Sequence, residues 1–238
     1  MTAEPIHDQD DSTPAERRRR KVRDAIVKAA EEIFAEEGAE GLSMRRIAER
    51  IDYSPAALYK YFDSKEALVH EIREMFFERM LRRMEQVSQS IDDDGPRLCL
   101  QCMQAYIDTG CEQPAHYKLA FGGVYAESER TLDDDSYSLA AKEHLRGMIT
   151  QSVEEGWFRE VSIELASNSV WAAVHGLTML IITVPNYPNV HHPHQNSELV
   201  ELDDVLTFHA EMIMRGLGSK KLIDRLDRGL RIQLRAHS

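Results

Sequence analysis

The chain has 238 residues, of which 42 % are hydrophobic and 29 % charged, a mix too apolar for a disordered chain and too charged for a membrane bundle. Its formal net charge is −12, which by itself argues against a polyanionic partner. Three cysteines give no disulfide framework and point to a reducing, cytoplasmic setting.

The charge is segregated. Residues 17–28 carry seven bases (Arg17, Arg18, Arg19, Arg20, Lys21, Arg23 and Lys28) against one acid, Asp24, whereas residues 71–238 hold 17 bases and 26 acids. A DNA footprint within residues 17–65 is therefore compatible with the acidic total.

In chain order, residues 1–16 are polar, with Asp8, Asp10, Asp11, Pro5 and Pro14 and no periodicity. They read as a disordered tail without a secretory leader. Val22, Ile26, Ala29, Ala30, Ile33 and Phe34 then recur at helical spacing, on a helix that stops near Gly38. Ser43 caps a short helix bearing Met44, Ile47 and Ala48, and Ile51, Asp52 and Tyr53 break it. Ser54 and Pro55 supply a cap and a first-turn proline for a third helix through Tyr61. Asp63 or Ser64 caps a fourth helix that runs past Met84, with Glu66 well placed for the dipole. Two short helices joined by a few residues are what a helix-turn-helix needs, with the first turn of its second helix in a major groove.

Further along, a helix starts at about Pro96, Pro114 opens a segment ending near Gly122-Gly123, and Ser136–Glu155 is a helix stopped by Gly156. Ile163–Val184 is strongly apolar. Its stretch Val170–Val184 is shorter than the roughly 20 residues of a bilayer span and contains His175 and Thr178, so no membrane role is expected. Residues 185–198 form a loop, Leu199–Leu217 is helical, and Lys220–Arg235 is a last, basic amphipathic helix. That helix has a membrane-surface reading, and a simpler one in which it packs against the acidic body of its own dimer. No period-2 strand or internal repeat occurs. The expected fold class is all-α: an N-terminal three-helix helix-turn-helix domain joined by a long helix to an α-helical ligand-binding and dimerisation bundle. Its segments are a tail at 1–16, a DNA-binding domain at 17–80 with the helix-turn-helix at 43–62, the bundle at 81–219, and an amphipathic helix at 220–238.

Residues 29–38 (AAEEIFAEEG), 43–50 (SMRRIAER), 54–62 (SPAALYKYF) and 64–68 (SKEAL) resemble the TetR family of transcriptional regulators in order and spacing. Residues 114–121 (PAHYKLAF) and 171–177 (WAAVHGL) look like one subgroup of it, named for a Trp-His-Gly motif. The resemblance implies a homodimeric regulator of palindromic double-stranded DNA, a repressor released by an unidentified small-molecule effector and working in the cytoplasm at the nucleoid. It also implies that Ser43, Tyr53, Tyr59 and Lys65 contact the DNA backbone, while Arg45, Ser54, Pro55, Ala56, Ala57, Lys60 and Tyr61 lie nearest the bases. The residue chemistry agrees: small groups at 54–57 can meet thymine methyls, and Lys60 can reach guanine acceptors or phosphate. Against this stands a reading with Tyr59 and Tyr61 half-buried and Lys60 merely solvated. Arg18, Arg19 and Arg20 belong either to an arm reaching into a minor groove or to a solvated helix start.

Two apolar stripes offer a dimer surface on which the family pairs as well: Ile163, Ala166, Val170, Val174, Leu177, Ile181 and Val184 on one helix, and Leu202, Val205, Leu206, His209, Met212, Ile213 and Gly216 on the other. Domain core explains the same stripes, and one helix apolar on nearly all sides suggests both. For an effector pocket the resemblance directs attention to Met103, Tyr106, Tyr117, Phe121, Trp171, His175 and Met179, with Met75 also a candidate; any helical core has such residues too. Cys99-x-x-Cys102 with Cys111, and the loop histidines His191, His192 and His194, have metal-capable side chains without the spacing of a metal site. No GxSxG, HExxH, Walker or GxGxxG pattern occurs. Neither an enzyme nor a cofactor is expected. The alternative function is a ligand-independent, DNA-bound adaptor that recruits a protein partner, which would need a filled bundle.

Overall fold

The structure, a computed structural model, describes residues 13–90, 94–121, 136–190, 199–229, 232 and 234–235. Among these the chain is all-α, with α1 (Pro14–Gly41), α2 (Met44–Arg50), α3 (Pro55–Leu58), α4 (Lys65–Ser90), α5 (Gly95–Glu112), α6 (Pro114–Phe121), α7 (Tyr137–Glu154), α8 (Ile163–Thr183), α9 (Leu202–Leu217) and α10 (Lys220–Asp227). It forms two compact units, residues 1–70 and 71–238. Helix α4 begins in the first and continues into the second.

Capping explains where the first helices begin. Thr13 and Glu16 form a reciprocal capping box, with the Glu16 amide donating to Thr13 Oγ1 at 3.3 Å and the Thr13 amide donating to Glu16 Oε2 at 2.7 Å. With Pro14 in the first turn, this starts α1 well before the basic run. Residues 13–16, expected in a disordered tail, are thus a helix start. Residues 17–21, for which the sequence also allows an extended arm, are helical. Residues 1–12 lie outside the described residues. At Gly38 the backbone leaves helical geometry at φ 71°, kinking the helix before its last turn at Gly41. Ser43, Ser54 and Ser64 each accept a backbone N–H three residues on, from Arg46, Ala57 and Ala67. Ser64 rather than Asp63 therefore caps α4.

The first unit packs Ile26, Ala30 and Ile33 of α1 around Ile47 and Ala48 of α2, Leu58 of α3, and Phe62 and Leu68, all buried. Ion pairs brace α1 against α2: Arg46 meets Glu37, and Arg50 meets Glu36 at 2.7 Å and Glu32 at 3.5 Å. The Arg50 guanidinium hydrogen-bonded to Glu36 holds that carboxyl below its usual range.

In the second unit α5 is the central element, in contact with α6, α7, α8 and α9. Gly110 is required where α5 meets α6 and α8: a Cβ there would lie 2.5 Å from Thr178 Cγ2 and 2.9 Å from Tyr117 Cδ2. By length and hydropathy α8 could cross a membrane. It instead packs Ala166, Val170, Val174, Leu177 and Thr178 into the bundle core. Near the C-terminus, Arg225 forms a bidentate pair with Asp94 at 2.6 and 2.9 Å, and Lys221 lies 3.6 Å over the Trp157 ring.

The expected helix over Lys220–Arg235 ends at Asp227. Gly229, at φ 105°, turns the chain out of helical geometry. Ile232 and Leu234 are then buried, while Gln104 Nε2 donates to the Arg235 carbonyl and Gln104 Oε1 accepts from the Arg235 amide. Leu222, Leu226, Ile232 and Leu234 of this basic segment are buried in its own bundle. Helix α9 begins at Leu202 rather than Leu199, and α3 is helical only to Leu58, with turns through Tyr61. His191, His192 and His194 lie outside the described residues.

Candidate functional site

In the first unit, α2, the turn 51–54 and α3 build a compact helix-turn-helix. The turn is closed by the Tyr53 amide donating to the Ala48 carbonyl at 2.9 Å, with Asp52 at φ 57°. Leu58 and Phe62 anchor α3 inward, so the opposite face is presented outward. On that face Tyr53, Ser54, Pro55, Ala56, Tyr59 and Lys60 are exposed, while Ala57 and Tyr61 are half-buried. Tyr59, at 52 % exposure, is clear of the core. Tyr61 is held by α1: Arg23 donates to its carbonyl at 2.9 Å, and Arg19 lies over its ring at 5.9 Å. Arg45 is exposed and paired with Glu49 at 2.9 Å. Lys65 Nζ donates to the Ala39 carbonyl at 3.5 Å. Arg17, Arg18, Arg19 and Arg20 are all exposed on the first turns of α1.

The second unit contains a cavity of about 190 Å³. Helix α4 supplies Phe77, Met80 and Met84; α5 supplies Cys99, Cys102, Met103 and Tyr106; α7 supplies Ala141, Leu145 and Met148. Ile149, Phe121, Phe158, the α8 residues Val170, Trp171 and Val174, and Ile213 and Leu217 of α9 complete an almost wholly apolar wall, with Ser138, Lys142, Ser167 and Asn168 as its polar members. Four of the seven expected pocket residues, Met103, Tyr106, Phe121 and Trp171, line it. Tyr117, His175 and Met179 do not, nor does Met75. Tyr117 is fully buried beside Tyr106. Met179, on α8, is half-buried and packs against the bundle core.

Beside the cavity lies a polar cluster. Tyr106 Oη is 3.0 Å from Tyr117 Oη, which is 2.6 Å from His175 Nδ1; Tyr106 Oη is also 3.4 Å from that nitrogen. Burial pushes the Tyr106 hydroxyl up to about 12 and raises Tyr117 too, so both stay protonated. Burial also lowers His175, which favours the neutral imidazole. His175 is thus a half-buried, hydrogen-bonded histidine. Burial likewise pushes the thiols up, Cys99 and Cys111 to about 11 and Cys102 to about 12. They are therefore poor nucleophiles. Among the described residues no group of three or more His, Cys, Asp or Glu is placed to hold a metal ion.

The stripes expected to pair two subunits are largely covered by this one chain. Val170, Val174, Leu177 and Leu206 are buried within it, and Ile181, Leu202, Val205, His209 and Ile213 are half-buried. Side chains already removed from water contribute little new apolar area to an interface. The apolar residues left outside on α8 and α9 are Leu165, Trp171, Leu180, Phe208 and Met212, with Phe208 64 % and Met212 52 % exposed. Periodicity found the apolar content of both helices but not which side faces inward. The cavity residues that spacing did not single out, Phe77, Met80, Met84 and Met148 among them, carry no signal beyond ordinary core periodicity.

The family model of the bacterial regulatory proteins, tetR family, matches residues 26–72. The HTH-type transcriptional repressor KstR2 of Rhodococcus jostii is 27 % identical over 159 residues, 64 % of this chain and 78 % of that protein. The HTH-type transcriptional regulator UidR of Escherichia coli is 41 % identical over 69 residues, 29 % of this chain and 35 % of that protein. In fold, the TetR family transcriptional regulator PfmR of Thermus thermophilus superposes with a TM-score of 0.61 at 24 % identity, over 82 % of this chain and 99 % of that one.

Proposed function

We propose that this chain, whose residues 26–72 match the tetR family of bacterial regulatory proteins, is a homodimeric, sequence-specific transcriptional repressor released from DNA by a small molecule. The observation that carries the reading is α4. Its first turns close the core of the helix-turn-helix unit through Leu68, and further along its Phe77, Met80 and Met84 form one wall of an apolar cavity. An effector that fits one position of α4 better than another would bias that position. In a dimer, the two recognition helices must match successive major grooves about 34–36 Å apart, so a small shift would weaken DNA binding without touching a DNA contact.

In this reading Tyr53, Tyr59, Ser43 and Lys65 meet phosphates, while Arg45, Ser54, Pro55, Ala56, Ala57, Lys60 and Tyr61 lie at the base edges. Arg18, Arg19 and Arg20 add phosphate contacts from a helix rather than from an arm. Leu165, Trp171, Leu180, Phe208 and Met212 form the core of the subunit interface, flanked by Ile181, Leu202, Val205, His209 and Ile213. The proposal includes a palindromic operator, a cytoplasmic, nucleoid-associated location, and the Trp-His-Gly subgroup on the strength of residues 114–121 and 171–177. No enzymatic step is part of it. The cavity favours an effector-released repressor over a ligand-independent adaptor, which would have a filled bundle.

The test is retention of sheared DNA from the protein's own source at physiological salt, followed by sequencing. A few enriched palindromic sites would support the reading. Broad retention without a motif would overturn sequence specificity, and no retention at low salt by ligand-free protein would overturn DNA binding.

A further inference from the structure

The cavity's size and the placement of its polar groups restrict what it can hold. Apolar cavities of about 150 Å³ accept benzene. At about 190 Å³, this one has room for a single ring and a short side chain. Its interior suits an aromatic ring: Phe77, Phe121, Tyr106 and Trp171 offer faces and edges, and Met80 and Met103 offer polarizable sulfur.

The polar groups inside are already engaged. Ser167 Oγ donates to the Ile163 carbonyl at 2.7 Å, and Tyr106 Oη is bonded to Tyr117. A polar ligand group buried among them would lose its hydration without a partner. Lys142 and Asn168, by contrast, are exposed members of the lining, on α7 and α8. Lys142 is the cation of the lining and makes no ion pair among the described residues. Arg146, one turn further on, is occupied by Glu143 at 3.3 Å and by Glu164. A ligand cation would be repelled at Lys142, and a carboxylate there gains a charge-assisted hydrogen bond.

We propose that the effector is a monocyclic aromatic carboxylate, its ring in the apolar interior and its carboxylate on Lys142. The proposal rests on the reading of this cavity as the effector site. Because Lys142 is exposed, solvent limits the gain over a neutral head group to about five- to tenfold in affinity.

The test uses 3-phenylpropanoate, 3-phenylpropan-1-ol and propylbenzene, which share ring and spacer and differ in the head group. Each is titrated against the full chain at pH 7.5 by calorimetry. Trp171 fluorescence in a Trp157→Phe variant, which retains one of the two tryptophans, reports occupancy of the cavity. The acid is expected to bind about five- to tenfold tighter than the alcohol. Lys142→Gln is expected to remove that preference by weakening the acid. A preference that survives Lys142→Gln would overturn the carboxylate assignment. Binding of alcohol or hydrocarbon as tight as that of the acid would do so too, while leaving the effector site standing. Silence from all three compounds in heat and fluorescence would overturn both.

Discussion

Replacing Tyr117 with Phe removes one buried hydroxyl and leaves the ring in place. The ring is fully buried and packs edge-on against Phe76 and Tyr106, with centroids 5.6 and 6.0 Å away. Little cavity cost is therefore expected. What disappears is the 2.6 Å bond to His175 Nδ1 and the 3.0 Å bond to Tyr106, leaving between those two their own 3.4 Å approach. A net hydrogen bond contributes about 1 kcal/mol, and an orphaned buried acceptor costs about 1–3 kcal/mol. Tyr117→Phe should therefore destabilise the second unit by about 1–3 kcal/mol, or roughly 2–10 °C in Tm. In the tautomer with Nδ1 unprotonated, the hydroxyl donates to it and favours the neutral imidazole, so its loss lets His175 protonate more easily in the fold. The penalty should then be larger at pH 8 than at pH 5. Thermal melts of both proteins at the two pH values, followed by circular dichroism, measure it. A variant as stable as wild type at pH 8, or a penalty that grows on acidification, would refute the assigned network.

Burial holds His144, His175 and His209 below the ordinary histidine range, so the unfolded chain takes up protons first as pH falls. Their contribution to stability is complete above about pH 6.5 and is lost progressively below it, which a series of melts from pH 8 to pH 5 would register. Gly110→Ala should lower Tm despite the roughly 1 kcal/mol gain in helix propensity, because the new methyl meets Thr178 and Tyr117; an unchanged or higher Tm would contradict the close approach. Replacing Arg17, Arg18, Arg19 and Arg20 with Ala should weaken DNA binding across sequences and flatten its salt dependence by about 0.9 in slope for each phosphate no longer neutralised; an unchanged slope would remove this turn of α1 from the interface.

Local chemistry made the first unit legible. Ser43 and Ser54 mark helix starts by hydrogen bonds within three residues, and those bonds are present, while Pro55 marks one by its fixed φ. Thr13 and Glu16 carry the same chemistry, but the acidic composition of the first residues masks their capping box in the sequence. Beyond residue 70, periodicity marked helices but not their inward faces. Helix α8 is apolar on most sides, so spacing alone could not distinguish Val174, in the core, from Trp171, 44 % exposed. The cavity was not legible either, since it is space left between Met, Phe and Cys side chains of several helices that look like filled core in one dimension. At the C-terminus, Leu222 and Leu226 promised a helix whose continuation Gly229 ends.

Dimeric, sequence-specific DNA binding is tested by selection from a pool of randomised duplexes with the ligand-free protein, followed by sedimentation of the selected complex. Two inverted half-sites are expected, with centres about 10 base pairs apart or a multiple of one turn, bound by two chains. A lone half-site bound by one chain, or no enrichment over the starting pool, would contradict it.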